Sequence, residues 1–398
     1  MSEHFDFGDP GLRADRFAYY RRFRETDPVH RTPHGYWMLF RYEDAEALLK
    51  SPAASSDFPA NPNWARARGG PTSPVVRAAS KWLLMQDGPA HRRLRRVVGK
   101  LFTPKVIERM RTRVPEIVDR LLAGVDDARE VDLMSTLAFP VPIAVVSELI
   151  GVPEPDREAL RVWSESMGHV IDRTVTPRRL IAMNKAEPRI RAYTAGMLAD
   201  VDTVTGPEDN LVSLMARSDA GFTEEEIAAN VGLVYNAGHE TTANLIGNGM
   251  LALLRDPGAL DALRADPSLM NTAVEELSRF DPSARFACRV LTDDVEIGGK
   301  EIPAGEAVFV AFDAVGRDPE RYPDPDRLDL RRTGVRSLAF SAGPHHCIGK
   351  MLAQVEAGGV FGTLLARYPK IELAVDEPRY REHFNLRMLE ELPLRLSR

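Results

Sequence analysis

The sequence predicts a mainly helical fold with a smaller β-rich region, and three observations carry that expectation. The long middle of the chain is punctuated by helix caps and breakers at Thr103-Pro104, Gly151-Val152-Pro153, Gly206-Pro207 and Asp256-Pro257. Short runs with strand character cluster towards the two ends. No linker, low-complexity run or internal repeat interrupts the 398 residues, so a single domain spanning 1–398 is expected, although that length ordinarily suggests more than one. Its β-rich portions are expected near 35–60 and 285–315 and at the C-terminus, and its helical core at 75–280 and 347–368.

In chain order, Gly35 to Phe40 followed by Arg41-Tyr42-Glu43-Asp44 reads as a strand end running into a helix from Asp44 to Leu49. Asp87-Gly88-Pro89-Ala90-His91-Arg92-Arg93-Leu94-Arg95-Arg96 opens a helix on which His91 and Arg95 share one face. Gly221-Phe222-Thr223-Glu224-Glu225-Glu226-Ile227 is a helix start, with Thr223 as N-cap, Glu226 closing a capping box and Phe222 stapled to Ile227. The apolar helix that follows runs to Leu254 and is interrupted by Asn236-Ala237-Gly238-His239-Glu240-Thr241-Thr242. Buried polar groups are costly unless they have partners or a task, so chemistry is expected there. Glu276-Leu277-Ser278-Arg279 is a helical i, i+3 ion pair. Val295 to Ile302 and Ala307 to Phe312 read as two strands separated by the turn Pro303-Ala304-Gly305-Glu306. A Pro/Asp-rich meander, Tyr322-Pro323-Asp324-Pro325-Asp326-Arg327-Leu328-Asp329, comes next. Finally Phe340-Ser341-Ala342-Gly343-Pro344-His345-His346-Cys347-Ile348-Gly349 presents a cysteine on a glycine-bracketed loop that opens an apolar helix.

Composition narrows the function. Charged residues are 28% and apolar residues 44% of the chain, ordinary for a globular protein with a large core. A net charge of -6 weighs against nucleic acid as the partner of the basic run after His91. The longest apolar stretch, Ala138 to Ile150, contains Pro140, Pro142, Ser147 and Glu148 and is too short for a bilayer. The start, Met1-Ser2-Glu3-His4-Phe5-Asp6-Phe7, has neither a basic n-region nor an apolar h-region, so a cytoplasmic protein is expected. Cys288 and Cys347 fit no C-x-x-C pattern.

A lone thiolate on such a loop can hold a haem iron, and cysteine ligation favours splitting the O–O bond of dioxygen. The competing reading of Cys347 is a buried inert thiol. His239-Glu240 also begins like the zinc-protease helix H-E-x-x-H, but the position of the second histidine is Ala243.

The spacing F-x-x-G-x-x-x-C-x-G, with the A-G-x-E-T element, the E-x-x-R pair and the His91/Arg95 helix in the same order, resembles the cytochrome P-450 superfamily from about residue 25 to the C-terminus. That resemblance implies its single-domain fold, a triangular helical prism with a smaller β-rich region. It implies haem b, with Cys347 as axial ligand and Gly343, Gly349, Phe340 and Ala237 around the macrocycle. His91, Arg95, Arg289 and His345 are implied as propionate partners. Gly238 is implied to open its helix locally, with Thr241 and Glu240 delivering protons for dioxygen activation. Glu276, Arg279 and Arg327 are implied to lock the meander behind the cysteine loop. Leu233, Asn236, Arg285, Phe286 and Ala287 are the implied pocket, whose polar members would suit a polar or acidic small molecule. Trp82 and Leu83-Leu84-Met85 stand where relatives carry a substrate-covering loop, although a core role fits equally, and residues 163–191 would supply the access helices.

The implied activity is monooxygenation of a small organic substrate by a monomer, with electrons from NAD(P)H passing through a ferredoxin reductase and a ferredoxin. The chain has no G-x-G-x-x-G and no cysteine cluster of its own, and Arg92, Arg93, Arg96, Lys100, Lys105 and Lys350 would form a positive face for an acidic donor. A peroxide-driven oxygenase, a phenol-coupling oxidase and a non-catalytic haem protein are the alternatives. Three departures from the family pattern stand out: Ser341 where a glycine is usual, Gly316 where an asparagine is usual, and Gln354 in place of an arginine.

Overall fold

The structure is a computed structural model that describes residues 4–125, 130–200, 210–334, 336–381 and 383–397. The expected breaker Gly206-Pro207 lies outside the described residues. Ten strands form three small sheets: β1 (Val29–Arg31), β2 (Tyr36–Leu39), β3 (Ala54–Ser55), β4 (Glu130–Asp132), β5 (Phe286–Leu291), β6 (Val295–Ile297), β7 (Lys300–Ile302), β8 (Ala307–Ala311), β9 (Lys370–Leu373) and β10 (Pro393–Ser397). The largest sheet runs β1-β2-β8-β5-β3, with β2 and β8 parallel and its other pairs antiparallel. It therefore joins residues 29–55 to residues 286–311, while the C-terminal strands β9 and β10 pair with the mid-chain strand β4. Val295 to Ile302 is not one strand: Gly298 and Gly299, both at positive φ, turn it into the hairpin β6–β7.

Six helices position the site: α1 (Gly88–Val98), α2 (Pro140–Ile150), α3 (Arg157–Gly168), α4 (Glu224–Arg255), α5 (Met270–Phe280) and α6 (Lys350–Arg367). The capping box at the start of α4 forms as read, with Glu226 N donating to Thr223 Oγ1 at 3.2 Å and Thr223 N donating to Glu226 Oε2 at 2.9 Å. That closed start and an apolar surface almost all round suit α4 to the interior. It packs against α2, α3, α5 and α6, so side chains along it face α2 and α3 on one side and α5 and α6 on another. Trp82, Leu83 and Met85 are buried while Leu84 is exposed, which decides that segment in favour of a core role for all but Leu84.

Glu356 on α6 is buried, and its Oε2 has no hydrogen-bond partner among the described residues. Burial alone raises its pKa well above the usual carboxylate range. The folded protein therefore keeps a proton that the unfolded chain releases above about pH 4.3, and stability falls as pH rises through that window. Glu356→Gln is expected to stabilise the protein more at pH 8 than at pH 5, read as the shift in urea midpoint. An equal loss at both values would show that Glu356 is ionised and paired.

Candidate functional site

Cys347 is delivered by a loop whose shape has a local cause. Gly343 sits at φ +68, and a Cβ there would come within 2.2 Å of the Leu49 carbonyl oxygen. Only glycine allows that approach, and the close neighbour is the helix at Tyr42–Lys50. Gly349 has an ordinary φ of -86, so its part is its N–H. The Cys347 residue is exposed towards the open side of the loop yet recessed among neighbours. Burial raises its thiol pKa, opposed by the Gly349 N–H, the Arg95 guanidinium and the Lys350 N–H. Those donors favour the thiolate. Phe340 is part-buried beside the core, with Lys350 Nζ 5.4 Å from its ring centroid.

Ser341 adopts φ 61 and ψ -173, a region that is essentially glycine's, and its Oγ is buried without a partner among the described residues. The departure from the family's glycine is thus a strained position. Ser341→Gly is expected to stabilise the protein by about 1–2 kcal/mol, read as a higher melting temperature. An unchanged or lower melting temperature would mean that the loop relaxes to hold serine without strain.

Beside the sulfur lies a cluster of basic groups. The His91 and His345 rings are 4.3 Å apart between centroids, and His345 Nε2 is 2.9 Å from Asp87 Oδ1. Arg95 Nη2 donates to the His346 carbonyl oxygen at 2.6 Å. Arg289 is buried, and its Nη1 donates to the Cys288 carbonyl oxygen at 2.7 Å. Burial, followed by the positive fields of His345 and Arg95, lowers the His91 pKa to about 4. His91 Nε2 is buried with no partner among the described residues. A buried orphan nitrogen among cations asks for an anion. The residues therefore fit a haem: a reachable sulfur with N–H donors beyond it, and His91, Arg95, Arg289 and His345 together where carboxylates would be welcome.

On α4 the polar interruption forms without a break in the helix, so the expected local opening at Gly238 is not present. Instead, a Cβ on Gly238 would meet Val146 Cγ2 at 2.9 Å, and the glycine serves the close approach of α2. Thr241 Oγ1 donates to the Ala237 carbonyl oxygen at 2.9 Å from an exposed position. Asn236 Nδ2 donates to Glu240 Oε2 at 3.0 Å. Burial raises the Glu240 pKa, opposed by His239 and reinforced by Glu165. A carboxyl with a raised pKa thus stands next in sequence to a hydroxyl.

Two of the expected pocket residues point elsewhere. Arg285 Nε is 3.6 Å from Asp313 Oδ2, a fully buried carboxylate. Phe286 packs into an aromatic cluster with Phe7, 5.0 Å away, and Phe384, 5.7 Å away. On β5 the side-chain period of two puts Ala287 and Arg289 on the other face from Phe286, so Ala287 remains with Arg289. Leu233 is buried in the core cluster around α4. Asn236 is committed to Glu240, and the end of α3 presses on it: a Cβ on Gly168 would lie 2.9 Å from its amide.

Glu276 and Arg279 pair, and the side chain that joins them is not the expected one. Arg279 grips Glu276 through two bonds of 2.7 Å and reaches the carbonyl oxygens of Gly316, Pro325 and Arg327. The side chain that joins them is Arg332, whose Nε is 3.2 Å from Glu276 Oε1. Arg327 offers only its backbone oxygen, and its guanidinium pairs with Asp329 on the surface. No spacing rule ranks Arg327 above Arg332; how the meander turns decides it. Two further residues escaped the sequence reading, Asp87 and Glu165. Asp87 ties His345 to Ser55 and Ser56. Glu165 comes from α3 to lie 3.5 Å from His239 Nε2, a contact with no signature in sequence.

Comparison with known proteins agrees with this geometry. The sequence profile of the family described as Cytochrome P450 matches residues 178–396. The chain is 39% identical to cytochrome P450 monooxygenase PikC of Streptomyces venezuelae, over 97% of this chain and 92% of that protein. It is 37% identical to the vitamin D(3) 25-hydroxylase of Pseudonocardia autotrophica, over 95% of this chain and 93% of that protein. Among solved structures, CalO2 superposes with a TM-score of 0.93 at 32% identity, over 100% of this chain and 99% of that one. P450BioI, solved in complex with hexadec-9Z-enoic acid ligated acyl carrier protein, superposes with a TM-score of 0.90 at 33% identity, over 97% of this chain and 100% of that one.

Proposed function

The chain belongs to the cytochrome P450 family and is a haem-dependent monooxygenase, and from that premise we propose that it inserts one oxygen atom into a C–H or C=C bond of a largely apolar natural-product scaffold. The observation that carries the site assignment is the placement of Cys347, reachable and backed by the N–H groups of Gly349 and Lys350. Haem, when bound, supplies the dioxygen reduction and O–O bond splitting. Cys347 would hold it through the sulfur, with His91, Arg95, Arg289 and His345 meeting its carboxylates. The protein's own contribution to the chemistry is the supply of protons, from Glu240, whose pKa burial raises, through the hydroxyl of Thr241.

The pocket reading favours an apolar substrate. Leu233, Ala237 and Ala287 remain as lining candidates, while the cation that suggested an acidic ligand, Arg285, is held by Asp313. Electrons are proposed to come from NAD(P)H through a ferredoxin reductase and a ferredoxin in the cytoplasm, to a monomer. Arg92, Arg96, Lys100 and Lys105 are exposed and suit an acidic donor. Arg93 and Lys350 suit it less, since they pair with Glu226 and Glu275. No helix among the described residues is long and apolar enough to cross a membrane.

The test is a carbon monoxide difference spectrum of the reduced, haem-loaded protein beside Cys347→Ala. A Soret band at the long wavelength of thiolate ligation, lost in the variant, supports the assignment; a spectrum of histidine type overturns it. Product formation with a reconstituted ferredoxin system then tests the monooxygenation. The screen should include acyl groups on carrier protein, because P450BioI was solved with one.

A further inference from the structure

We propose that Glu165, His239 and Glu240 form a three-ligand site for a divalent cation of the zinc class, clamping α3 onto α4. The ligand atoms of the three residues all lie within 4.8 Å of one another. His239 is fully buried, and its Nδ1 is 2.7 Å from the Tyr235 carbonyl oxygen. A carbonyl oxygen only accepts, so Nδ1 carries a proton, and in the neutral ring the lone pair is on Nε2. That nitrogen has no hydrogen-bond partner among the described residues, and the atom it faces is Glu165 Oε1, at 3.5 Å. The buried nitrogen lone pair thus faces a half-buried carboxylate oxygen that already accepts from the Arg161 guanidinium, and a cation between nitrogen and oxygen would satisfy both.

The geometry suits a metal ion in that role. Zinc binds imidazole nitrogen and carboxylate oxygen at about 2.0 Å in a tetrahedron, which sets neighbouring ligand atoms roughly 3.3 Å apart. The His239–Glu165 separation already approaches that value. A ligating histidine usually donates its other N–H to a carbonyl or carboxylate, and here Tyr235 serves. Ligating carboxylates are usually held in turn, and here Arg161 bonds Glu165 while Asn236 bonds Glu240. Two carboxylates and one neutral imidazole balance a double positive charge and leave a fourth position for water.

The second group with metal-ligand spacing, His169, Asp172 and His383, lacks this preparation. His383 Nδ1 accepts from the backbone N–H groups of Asn385 and Leu386. Its proton is therefore on Nε2, and neither nitrogen has a lone pair to offer a metal.

Occupation would take Glu240 out of proton delivery and fasten α3 to α4. The first consequence rests on the proton-donor role proposed above; the binding itself does not. The test is equilibrium dialysis of the haem-loaded enzyme against Zn²⁺ with metal analysis, beside Glu165→Gln, His239→Gln and His383→Gln. One Zn²⁺ per chain is expected, with affinity lowered at least about tenfold in Glu165→Gln and His239→Gln and unchanged in His383→Gln. Zn²⁺ should also slow amide hydrogen exchange in residues 157–171 of the wild type but not of Glu165→Gln. No Zn²⁺ bound beyond the level of Glu165→Gln, or loss confined to His383→Gln, overturns the site and leaves a shared proton between His239 and Glu165. Each variant's carbon monoxide spectrum reports whether it folds around haem; if His239→Gln does not, Glu165→Gln carries the decision. Stoichiometric Zn²⁺ that leaves the coupling of dioxygen to product unchanged would keep the site and overturn the role of Glu240.

Discussion

Glu276→Gln is expected to destabilise the protein by about 3–5 kcal/mol and to release haem on mild heating. Arg279 and Glu276 have side chains only 1% and 2% exposed, and the guanidinium faces the carboxylate in a bidentate grip. The amide would leave the buried guanidinium of Arg279 and the half-buried one of Arg332 without a counter-charge. Glu276 Oε1 also accepts from the Asp329 N–H at 3.0 Å, so the meander loses an anchor in the same step. The companion variants separate the structural assignment from the family pattern. Arg332→Leu should cost several kcal/mol, whereas Arg327→Ala, whose side chain is 66% exposed in its pair with Asp329, should fall within about 0.5 kcal/mol of wild type. Urea unfolding of the three variants measures this, and a costlier Arg327→Ala would restore Arg327 as the third member.

Thr241→Ala is expected to lower product formed per NAD(P)H by on the order of 10²-fold, while reductant consumption continues and hydrogen peroxide accumulates. The hydroxyl is exposed on α4 and spends its proton on the Ala237 carbonyl, an interaction that costs little to exchange for a new acceptor. Its neighbour Glu240, whose pKa burial raises, is the proposed proton source. Removing the hydroxyl cuts the path at its exposed end without leaving a buried group unpaired, so the fold should hold. Peroxide-driven turnover should survive, because peroxide brings its own protons. Coupling equal to wild type would show that protons reach the site by another route.

What could be read from sequence was what short-range physics controls. The capping box of α4 is written in four consecutive residues, and it forms as written. The helical alignment of His91 and Arg95 likewise depends on neighbours in the chain, whereas the glycine at Gly343 answers to the distant Leu49 carbonyl. Ser341 belongs here too, since a non-glycine at a glycine position was visible as a departure, although its strain was not.

Other assignments were matters of direction. Arg285 stands in sequence where pocket residues stand, but Asp313 lies within reach in the core, and a buried carboxylate outcompetes a cleft for a guanidinium. Phe286 turned into an aromatic cluster built from the N-terminal segment and the C-terminal loop, contacts separated by nearly the whole chain. Gly238 was expected to break its helix, and the reason for a glycine is instead a valine on α2.

By itself the sequence determined the helical class and the cap that starts α4, because both rest on periodicity or adjacency along the backbone, and its motifs carried the resemblance that implied the thiolate and the acid–alcohol neighbours. Only the tertiary structure decided that Arg332 completes the lock, that Arg285 serves the core, and that Glu165 faces His239. Charged side chains are long enough to choose among several partners, and which partner is nearest is set by how helices and meander pack, a property no local spacing encodes.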